Sequence, residues 1–278
     1  MKIGKFEIDV LNGGDVQMDG GAIFGVVPKP LWSKKYPFND NNQVPLAAHP
    51  ILIRTEDCRI VIDAGIGKGC LTEKQMRNYG VGQEAAIEKS LAQFDLTVDD
   101  IDMVLMTHMH FDHATGLVDD EGRSTFPNAR HYIQQDEWHE FVSPNIRSQA
   151  TYWSSNRGDY EARTILFEKS CTPYPGITML HTGGHSYGHS VIEIESDGEK
   201  AVHMSDIFPT VAHVNPLWVS AYDDFPMQSI RAKECLTKKY ILDDYWFLFY
   251  HDMKYFAAKF DVDGKTMTET VERPKFNE

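Results

Sequence analysis

Four side chains able to bind a metal ion crowd into six consecutive positions of this sequence. They lie in the stretch THMHFDHATG at residues 107–116, directly after the apolar run MVLM at 103–106, which predicts a short buried strand. The four side chains are those of His108, His110, Asp112 and His113. Imidazole nitrogen is the most frequent ligand of borderline metals, and carboxylates complete such sites. Because the backbone turns freely after a strand, the first two histidines can point one way and the last two side chains another. The loop is therefore predicted to serve two adjacent metal ions.

Charge and hydropathy limit the partners of the chain. Its 278 residues include 41 acidic and 27 basic side chains, a formal net charge of -14 without a basic stripe, which argues against nucleic acid and anionic membranes. The start, MKIGKFEIDVLNGG, lacks the apolar stretch and cleavage site of a signal peptide. No run approaches the roughly 18 apolar residues of a membrane-spanning helix. We therefore expect a cytoplasmic protein.

The four cysteines are far apart in the sequence and form no C-x-x-C pair. They are Cys58, Cys70, Cys171 and Cys235. Free thiols in a reducing compartment are the expected state. Nitrogen and oxygen atoms, rather than sulfur, are therefore expected to hold any bound metal.

Apolar periodicity places these residues on an alternation of strands and helices. Strands are predicted at 3–11, 50–54, 59–63, 103–107, 131–133, 177–180, 190–194, 201–204 and 246–250. Helices are predicted at 84–94, 134–141 and 226–240. Hairpins are predicted at 50–63, with its turn at 55–58, and at 259–265. This order favours one layered α/β domain over residues 1–278. The Gly/Pro/Asn-rich segment 12–44, which contains Phe24, Trp32, Tyr36 and Phe38, is predicted to be a long ordered loop or lid.

Motifs beyond the histidine cluster strengthen one family resemblance. The sequence closely resembles the metallo-β-lactamase superfamily, whose signature is H-x-H-x-D-H after a buried strand. Further matches follow in order: Asp63 in IDAG, His185 in HTGGHS, Asp206 in HMSD and His251 in FYHD. The resemblance implies an α/β fold, the αβ/βα sandwich of two mixed β-sheets flanked by helices.

Three stretches outside the metal motifs bear on the subfamily. They are residues 19–32, 144–147 and 217–224. Through them the chain is similar to quorum-quenching N-acyl homoserine lactonases, especially those of the YtnP-like type.

The resemblance also implies roles for single residues. His108, His110 and His185 would hold one divalent metal ion, Asp112, His113 and His251 a second, and Asp206 would bridge the two. Asp63 would orient a ligand histidine by accepting its other N–H group. Zinc is the expected metal, with iron, manganese and cobalt compatible with the same donors.

The implied activity is hydrolysis of a carboxylic ester, by which a metal-bridging hydroxide opens the ring of an N-acyl homoserine lactone. Asp112 and Asp206 would be the catalytic residues, with Asp112 passing a proton to the departing alkoxide. Many such lactonases carry a tyrosine three residues after the bridging aspartate, where this sequence has Pro209. Tyr222 is a candidate substitute. The predicted substrate contacts are Phe24, Trp32, Phe208, His213 and Tyr222, and segment 20–38 is the predicted wall for an apolar acyl group.

Other functions use the same ligand set. Another esterase, a phosphotriesterase or a thioesterase of this fold remains an alternative, because two metal ions also suit attack at phosphorus. A non-catalytic metal-binding protein is a further alternative, although all seven ligand positions are filled. The expected partner is a small lactone or ester, and a homodimer is compatible with the sequence.

Overall fold

A computed structural model describes residues 1–276 of the chain. Its strands are β1 (Lys2–Ile3), β2 (Phe6–Val10), β3 (Asp15–Asp19), β4 (Gln43–Ala47), β5 (Ile51–Arg54), β6 (Arg59–Ile62), β7 (Met103–Leu105), β8 (Arg130–Gln134), β9 (Thr164–Phe167), β10 (Ser170–Tyr174), β11 (Ile177–His181), β12 (Ser190–Ser196), β13 (Glu199–His203), β14 (Trp246–Leu248), β15 (Tyr255–Phe260) and β16 (Met267–Glu272). Its α-helices are α1 (Gly20–Phe24), α2 (Lys29–Trp32), α3 (Glu73–Asn78), α4 (Ile87–Leu91), α5 (Phe111–Ala114), α6 (Gln135–Val142) and α7 (Pro226–Leu242). Short 3-10 helices span Ala92–Phe94, Val98–Asp100, Thr115–Leu117, Ser148–Ala150, Ser154–Asn156, Asp159–Arg163, Ser205–Ile207 and Val211–Val214.

Fourteen of these strands form two mixed sheets of seven. The first has the order β1-β2-β5-β6-β7-β8-β9 and the second β10-β11-β12-β13-β14-β15-β16, while β3 and β4 pair separately. Apolar side chains of both large sheets form one buried cluster between them. The outer face of the first sheet packs against α4 and α6, and that of the second against α7. The predicted sandwich of two mixed sheets flanked by helices is confirmed.

The topology brings the carboxyl ends of four strands to one edge of the sandwich. Strands β6, β7 and β8 run parallel in the first sheet, and β13 and β14 run parallel in the second. The segments that leave β6, β7, β13 and β14 carry Asp63, the histidine cluster, Asp206 and His251, respectively. Because the ends of parallel strands meet at the same edge, residues far apart in sequence converge there. The turn between β11 and β12 adds His185.

Strand pairing shows which of the predicted strands the structure contains. The hairpin predicted at 50–63 is confirmed as β5 and β6, with Ile51 paired to Ile62 and Arg54 to Arg59. Its apolar residues are buried on both faces, as expected for a strand between two packed layers. The strand expected over 3–11 is instead divided into β1 and β2. Gly4 makes this turn at φ 54, and a Cβ there would lie 2.2 Å from the Ser196 carbonyl oxygen, so only glycine fits.

Two expectations need larger corrections. The helix predicted over 84–94 is much shorter in the structure. Only α4 (Ile87–Leu91) is α-helical, and it continues as a 3-10 helix that ends at Asp95 with φ 57. Segment 12–44 is not a loop throughout, because it contains β3, α1, α2 and the start of β4. Asp19 begins α1 by accepting a hydrogen bond from the Ala22 amide at 2.9 Å, a cap that the Gly-rich composition concealed.

Within the described part of the chain, no helix has both the length and the apolar character needed to span a membrane.

Candidate metal centre and substrate cavity

The structure brings all seven predicted ligands together. Three groups have ligand atoms within 4.8 Å of one another: His108 with His110 and His185, His108 with His113 and Asp206, and Asp112 with His113 and His251. Within the first group, His185 Nε2 lies 3.0 Å from His110 Nδ1. Within the third, His113 Nε2 lies 3.2 Å from His251 Nε2. The histidine loop therefore supplies ligand atoms to two neighbouring sites, the first and the third of these groups.

Asp206 lies between these groups, with one carboxylate oxygen toward each. Its Oδ2 is 3.2 Å from His185 Nε2 and 3.8 Å from His108 Nε2. Its Oδ1 is 3.1 Å from His251 Nε2 and 3.4 Å from His113 Nε2. Ser205, at φ 46, turns the chain after β13 so that this carboxylate points into the cluster. A carboxylate in this position would offer one oxygen to each of two bound ions.

The donor atoms suit divalent metals. Nε2 of His108 and Oδ1 of Asp206 are buried without a hydrogen-bond partner among residues 1–276, which is costly unless a ligand pairs with them. Burial and the neighbouring imidazoles hold the pKa of His108 and of His110 well below the usual range. These rings are therefore neutral at physiological pH, and a lone pair on each is available to a metal. Imidazole and carboxylate donors without sulfur accept zinc, iron, manganese or cobalt.

Acceptors orient the rings of His113 and His251 through their Nδ1 atoms. Asp63 Oδ2 lies 2.8 Å from His113 Nδ1, which is where the sequence analysis placed this residue. The Thr107 amide and hydroxyl, both donating at 2.8 Å, hold the Asp63 carboxylate in turn. The Ala47 carbonyl oxygen lies 2.6 Å from His251 Nδ1. Such contacts select the ring tautomer that presents the other nitrogen to a metal.

Asp223 was missed by the sequence analysis. Its Oδ1 lies 2.8 Å from His185 Nδ1, and the carboxylate is buried. The only signal was its place in the stretch 217–224, which had been connected with the subfamily and not with metal binding. Backbone acceptors such as Ala47 leave no signal in a sequence at all.

Glu137 was also missed, and it ties the two ligand loops together. This fully buried carboxylate lies at the start of α6. It accepts hydrogen bonds from the Met109 amide at 2.7 Å and the Gly188 amide at 3.1 Å. The hydroxyls of Tyr152 and Ser186 donate to it as well, each at 2.6 Å. One side chain thus connects the loop of His108 and His110 with the loop of His185.

The contact between Asp63 and His113 gives a first prediction. We expect Asp63→Asn to lower metal affinity about tenfold to a hundredfold, because an amide can present its NH₂ group to the imidazole and loses the charge. Competition with a chromogenic chelator measures the affinity. The exposed Asp57→Asn substitution is the matched control and should leave the affinity unchanged. Equal affinities for Asp63→Asn and the unaltered chain would contradict the orienting role.

A cavity of about 350 Å³ opens over the ligand cluster. Five of the candidate metal ligands contribute to its lining: His110, Asp112, His185, Asp206 and His251. The other lining residues are Met18, Ile23, Leu46, Tyr79, Phe111, Arg147, Ser148, Ala150, Thr151, Pro209, Ser220, Ala221, Tyr222 and Asp224. The site therefore combines polar donors at one end with largely apolar walls, as small-molecule sites do.

Of the five predicted substrate contacts, only Tyr222 lines this cavity. Phe24 and Trp32 are buried and stacked on each other, with ring centroids 4.8 Å apart. Phe208 packs in the cluster between the second sheet and α7. His213 is buried behind the wall, where its ring stacks on Phe24 at 4.7 Å. The structure does not bring these four residues to the cavity, because large aromatic side chains gain most by filling the core.

Segment 12–44 contributes different residues to the cavity from those expected. Its aromatic side chains pack against one another, and Met18 and Ile23 are the members that line the cavity. Pro209 lines it too, and so does Tyr79, a residue that the sequence analysis did not consider.

Comparison with known proteins decides the family. A model of the metallo-beta-lactamase superfamily matches residues 44–237. This chain belongs to that superfamily. A solved structure, described as that of a probable metal-dependent hydrolase from Staphylococcus aureus, has a TM-score of 0.99 and 60% identity over 100% of both chains. The chain is accordingly a metallo-hydrolase of this superfamily, with histidine and aspartate side chains as candidate metal ligands.

More distant members carry more specific names. An N-acyl homoserine lactonase of Bacillus thuringiensis is 26% identical over 167 residues, which cover 54% of this chain and 59% of the relative. The chain thus matches about three-fifths of the length of that curated relative. The structure of AidC, a dizinc quorum-quenching lactonase with a bound product, has a TM-score of 0.80 at 18% identity over 100% of this chain and 97% of AidC. At that identity the likeness to AidC establishes the shared fold alone, and the resemblance to N-acyl homoserine lactonases is supported by the Bacillus thuringiensis relative.

Proposed function

We propose that this metallo-hydrolase is a dinuclear lactonase that opens the ring of N-acyl homoserine lactones. The observation that carries the proposal is the placement of two donor groups, joined by Asp206, at the base of a cavity with mostly apolar walls. A ring ester held at the donors would extend its acyl group along those walls. The relatives named N-acyl homoserine lactonase support this choice among esters.

Two divalent ions are proposed as the cofactor. His108, His110 and His185 would hold one ion, and Asp112, His113 and His251 the other, with Asp206 shared. Bound there, such ions supply Lewis acidity to a carbonyl oxygen and a water molecule that ionises near neutral pH. Zinc is the proposed metal, because the donor set suits it and the structural neighbour AidC is a dizinc enzyme.

Asp112 is proposed to move the proton. Its carboxylate lines the cavity and lies 3.8 Å from His251 Nε2, beside the donors and open to a substrate. Water adds its oxygen to the acyl carbon, and the ring C–O bond breaks. One proton of that water passes through Asp112 to the leaving alkoxide, which stays tethered in the product, an N-acyl homoserine.

Two phenols are proposed as hydrogen-bond donors to the substrate. They would serve instead of the tyrosine that many lactonases carry at the position of Pro209. Tyr79 and Tyr222 both line the cavity, and neither hydroxyl bonds to another residue in the described range 1–276. Burial and the charge of Asp112 raise the pKa of Tyr222 to about 12, and the same two causes raise the pKa of Tyr79. Both hydroxyls therefore keep their protons at neutral pH and can donate to a carbonyl oxygen.

Charge in the cavity favours a neutral substrate. Arg147 is the one cation among its lining residues, and its Nε lies 2.5 Å from Asp224 Oδ1. Because the Asp224 carboxylate balances the charge of this guanidinium, none of the lining residues offers an unpaired lysine or arginine to an anionic substituent. The apolar residues Met18, Ile23, Leu46 and Phe111 suit an uncharged alkyl chain instead.

A pH-stat assay on lactones of graded acyl length tests the proposal. The metal-loaded protein should release one acid equivalent per ring opened, and metal analysis should find two ions per chain. A phosphotriester and S-lactoylglutathione serve as comparison substrates, and chelation should abolish turnover. Release of acid from no lactone, together with turnover of either comparison substrate, would overturn the lactonase assignment.

A further inference from the structure

Residues 217–224, the third of the stretches that bear on the subfamily, contact both the cavity and the candidate metal centre. Ser220, Ala221, Tyr222 and Asp224 line the cavity, while Asp223 contacts His185 through its carboxylate. The same backbone is bonded to the His185 loop, since the Asp224 amide donates to the His185 carbonyl oxygen at 3.0 Å. We call residues 217–224 the cavity wall segment. Its position affects both the shape of the cavity and the orientation of a candidate ligand.

Interior contacts hold the first half of this segment. The Lys233 ammonium, fully buried on α7, donates to the Trp218 carbonyl oxygen at 2.5 Å. The Ala221 amide and the Ser220 hydroxyl both donate to the Ala22 carbonyl oxygen, at 2.8 and 3.1 Å. These contacts attach the segment to α7 and α1.

Arg147 reaches the second half of the segment from a facing loop, residues 145–151. Its Nη2 donates to the Ala221 carbonyl oxygen at 2.7 Å and to the Asp223 carbonyl oxygen at 3.3 Å, while Nε pairs with Asp224. The guanidinium therefore makes three contacts to three residues of the cavity wall segment. A planar fork with donors at fixed angles can do this, whereas the single ammonium of a lysine cannot.

The loop of Arg147 is itself fixed and lines the cavity. The Asn145 side-chain oxygen accepts hydrogen bonds from the amides of Arg147 and Ser148, at 2.8 and 3.2 Å. Ser148, Ala150 and Thr151 of this loop line the same cavity as the wall segment. Arg147 thus joins two lining elements that are 74 residues apart in the chain. Residues 144–147 and 217–224, two of the three stretches that bear on the subfamily, are thus in direct contact.

We propose that Arg147 is a specificity-determining residue, which fixes the cavity wall segment against the facing loop and thereby sets the length of acyl chain that the cavity holds. The proposal rests on the lactonase function proposed above. Arg147 acts by position: its charge is balanced by Asp224, and its side chain, 54% exposed, lines the cavity. An alkyl group that extends from an ester at the donors passes this wall on its way to solvent, so that longer chains contact it most.

Arg147→Met and Arg147→Lys test the proposal with lactones from N-butanoyl to N-decanoyl. For both variants we expect KM for the N-decanoyl substrate to rise about tenfold, with kcat changed less than about threefold, because ground-state and transition-state contacts are lost together. KM for the N-butanoyl substrate should change little, and the metal content should stay the same. Arg157→Met, which removes an exposed pair with Glu161, is the matched control. An equal rise of KM for all chain lengths, or full rescue by lysine, would overturn the proposal.

Hydrogen–deuterium exchange separates this proposal from the lactonase function. The amides of residues 221–225 are all hydrogen-bonded, so that they report on the wall directly. We expect them to exchange about tenfold faster in Arg147→Met, and at unchanged rates in Arg157→Met. Unchanged exchange in Arg147→Met overturns the proposal whatever the substrate. If the unaltered protein opens no lactone, the proposed function fails and the acyl-length role with it, while faster exchange would still establish the contact of Arg147 with the wall.

Discussion

Asp206→Asn is expected to lower kcat/KM for lactone opening by about three orders of magnitude and to reduce the metal content below two ions per chain. Each Asp206 oxygen faces a different pair of histidine nitrogens, at 3.1 to 3.8 Å. An asparagine keeps one oxygen and turns an NH₂ group toward the other pair. It also removes the single negative charge that both ions would share, so that two divalent cations would repel each other more strongly.

The measurements are metal analysis by mass spectrometry and initial rates at saturating metal concentration. Asp40→Asn, on an exposed turn, is the matched control and should retain both metals and full activity. Thermal unfolding of each variant without metal shows whether the fold survives the change. Two tightly bound ions and normal rates in Asp206→Asn would contradict the bridging position of this carboxylate.

The sequence was sufficient for the ligands because their chemistry is concentrated in short motifs. The histidine cluster follows β7 directly, and each of the remaining donors leaves a strand or turn at the same edge of the sandwich. Strand alternation also predicted the β5–β6 hairpin, because pairing within a hairpin depends only on neighbouring residues. Local patterns thus determined which residues are present at the edge and on which elements.

Residues that act through distant contacts could not be found in this way. Asp223 is 38 residues from His185, and Glu137 is 51 residues from Gly188. An aspartate or glutamate in a helix or loop has the same appearance whether it is solvated or buried against a remote amide. Phe24 and Trp32 show the converse problem, because an aromatic side chain suits both a core and a substrate wall. In the structure α1 and α2 pack against β4, and both aromatic side chains belong to that part of the core.

Glu137→Gln tests the contact that binds the two ligand loops, and we expect it to lower the free energy of unfolding by about 2 to 4 kcal/mol. The carboxylate uses both oxygens, each accepting one amide and one hydroxyl. The hydroxyls of Tyr152 and Ser186 can rotate to accept a hydrogen bond from an NH₂ group. The amides of Met109 and Gly188 cannot, and one of them would face that NH₂ group unpaired in the interior.

Two opposing effects set the size of this change. Burial raises the pKa of Glu137, although four groups donate to it, so the ionised carboxylate carries a desolvation cost that glutamine removes. The loss of charge-assisted hydrogen bonds, about 1.5 to 3 kcal/mol each, together with a buried unpaired amide, exceeds that gain. Urea unfolding of the metal-free protein measures the net result, with Glu56→Gln on the exposed β5–β6 turn as the control.

Metal affinity provides the second readout, because Glu137 connects the loop of His108 and His110 with that of His185. If the contact positions these loops relative to each other, Glu137→Gln should weaken binding of the ion shared by these three histidines about tenfold, while Glu56→Gln leaves it unchanged. A variant that is destabilised yet binds metal normally would show that Glu137 stabilises the fold without positioning the ligands. A variant unchanged in both measurements would show that the buried amides find other acceptors. The contact of Glu137 with the two loops would then contribute neither to stability nor to metal binding.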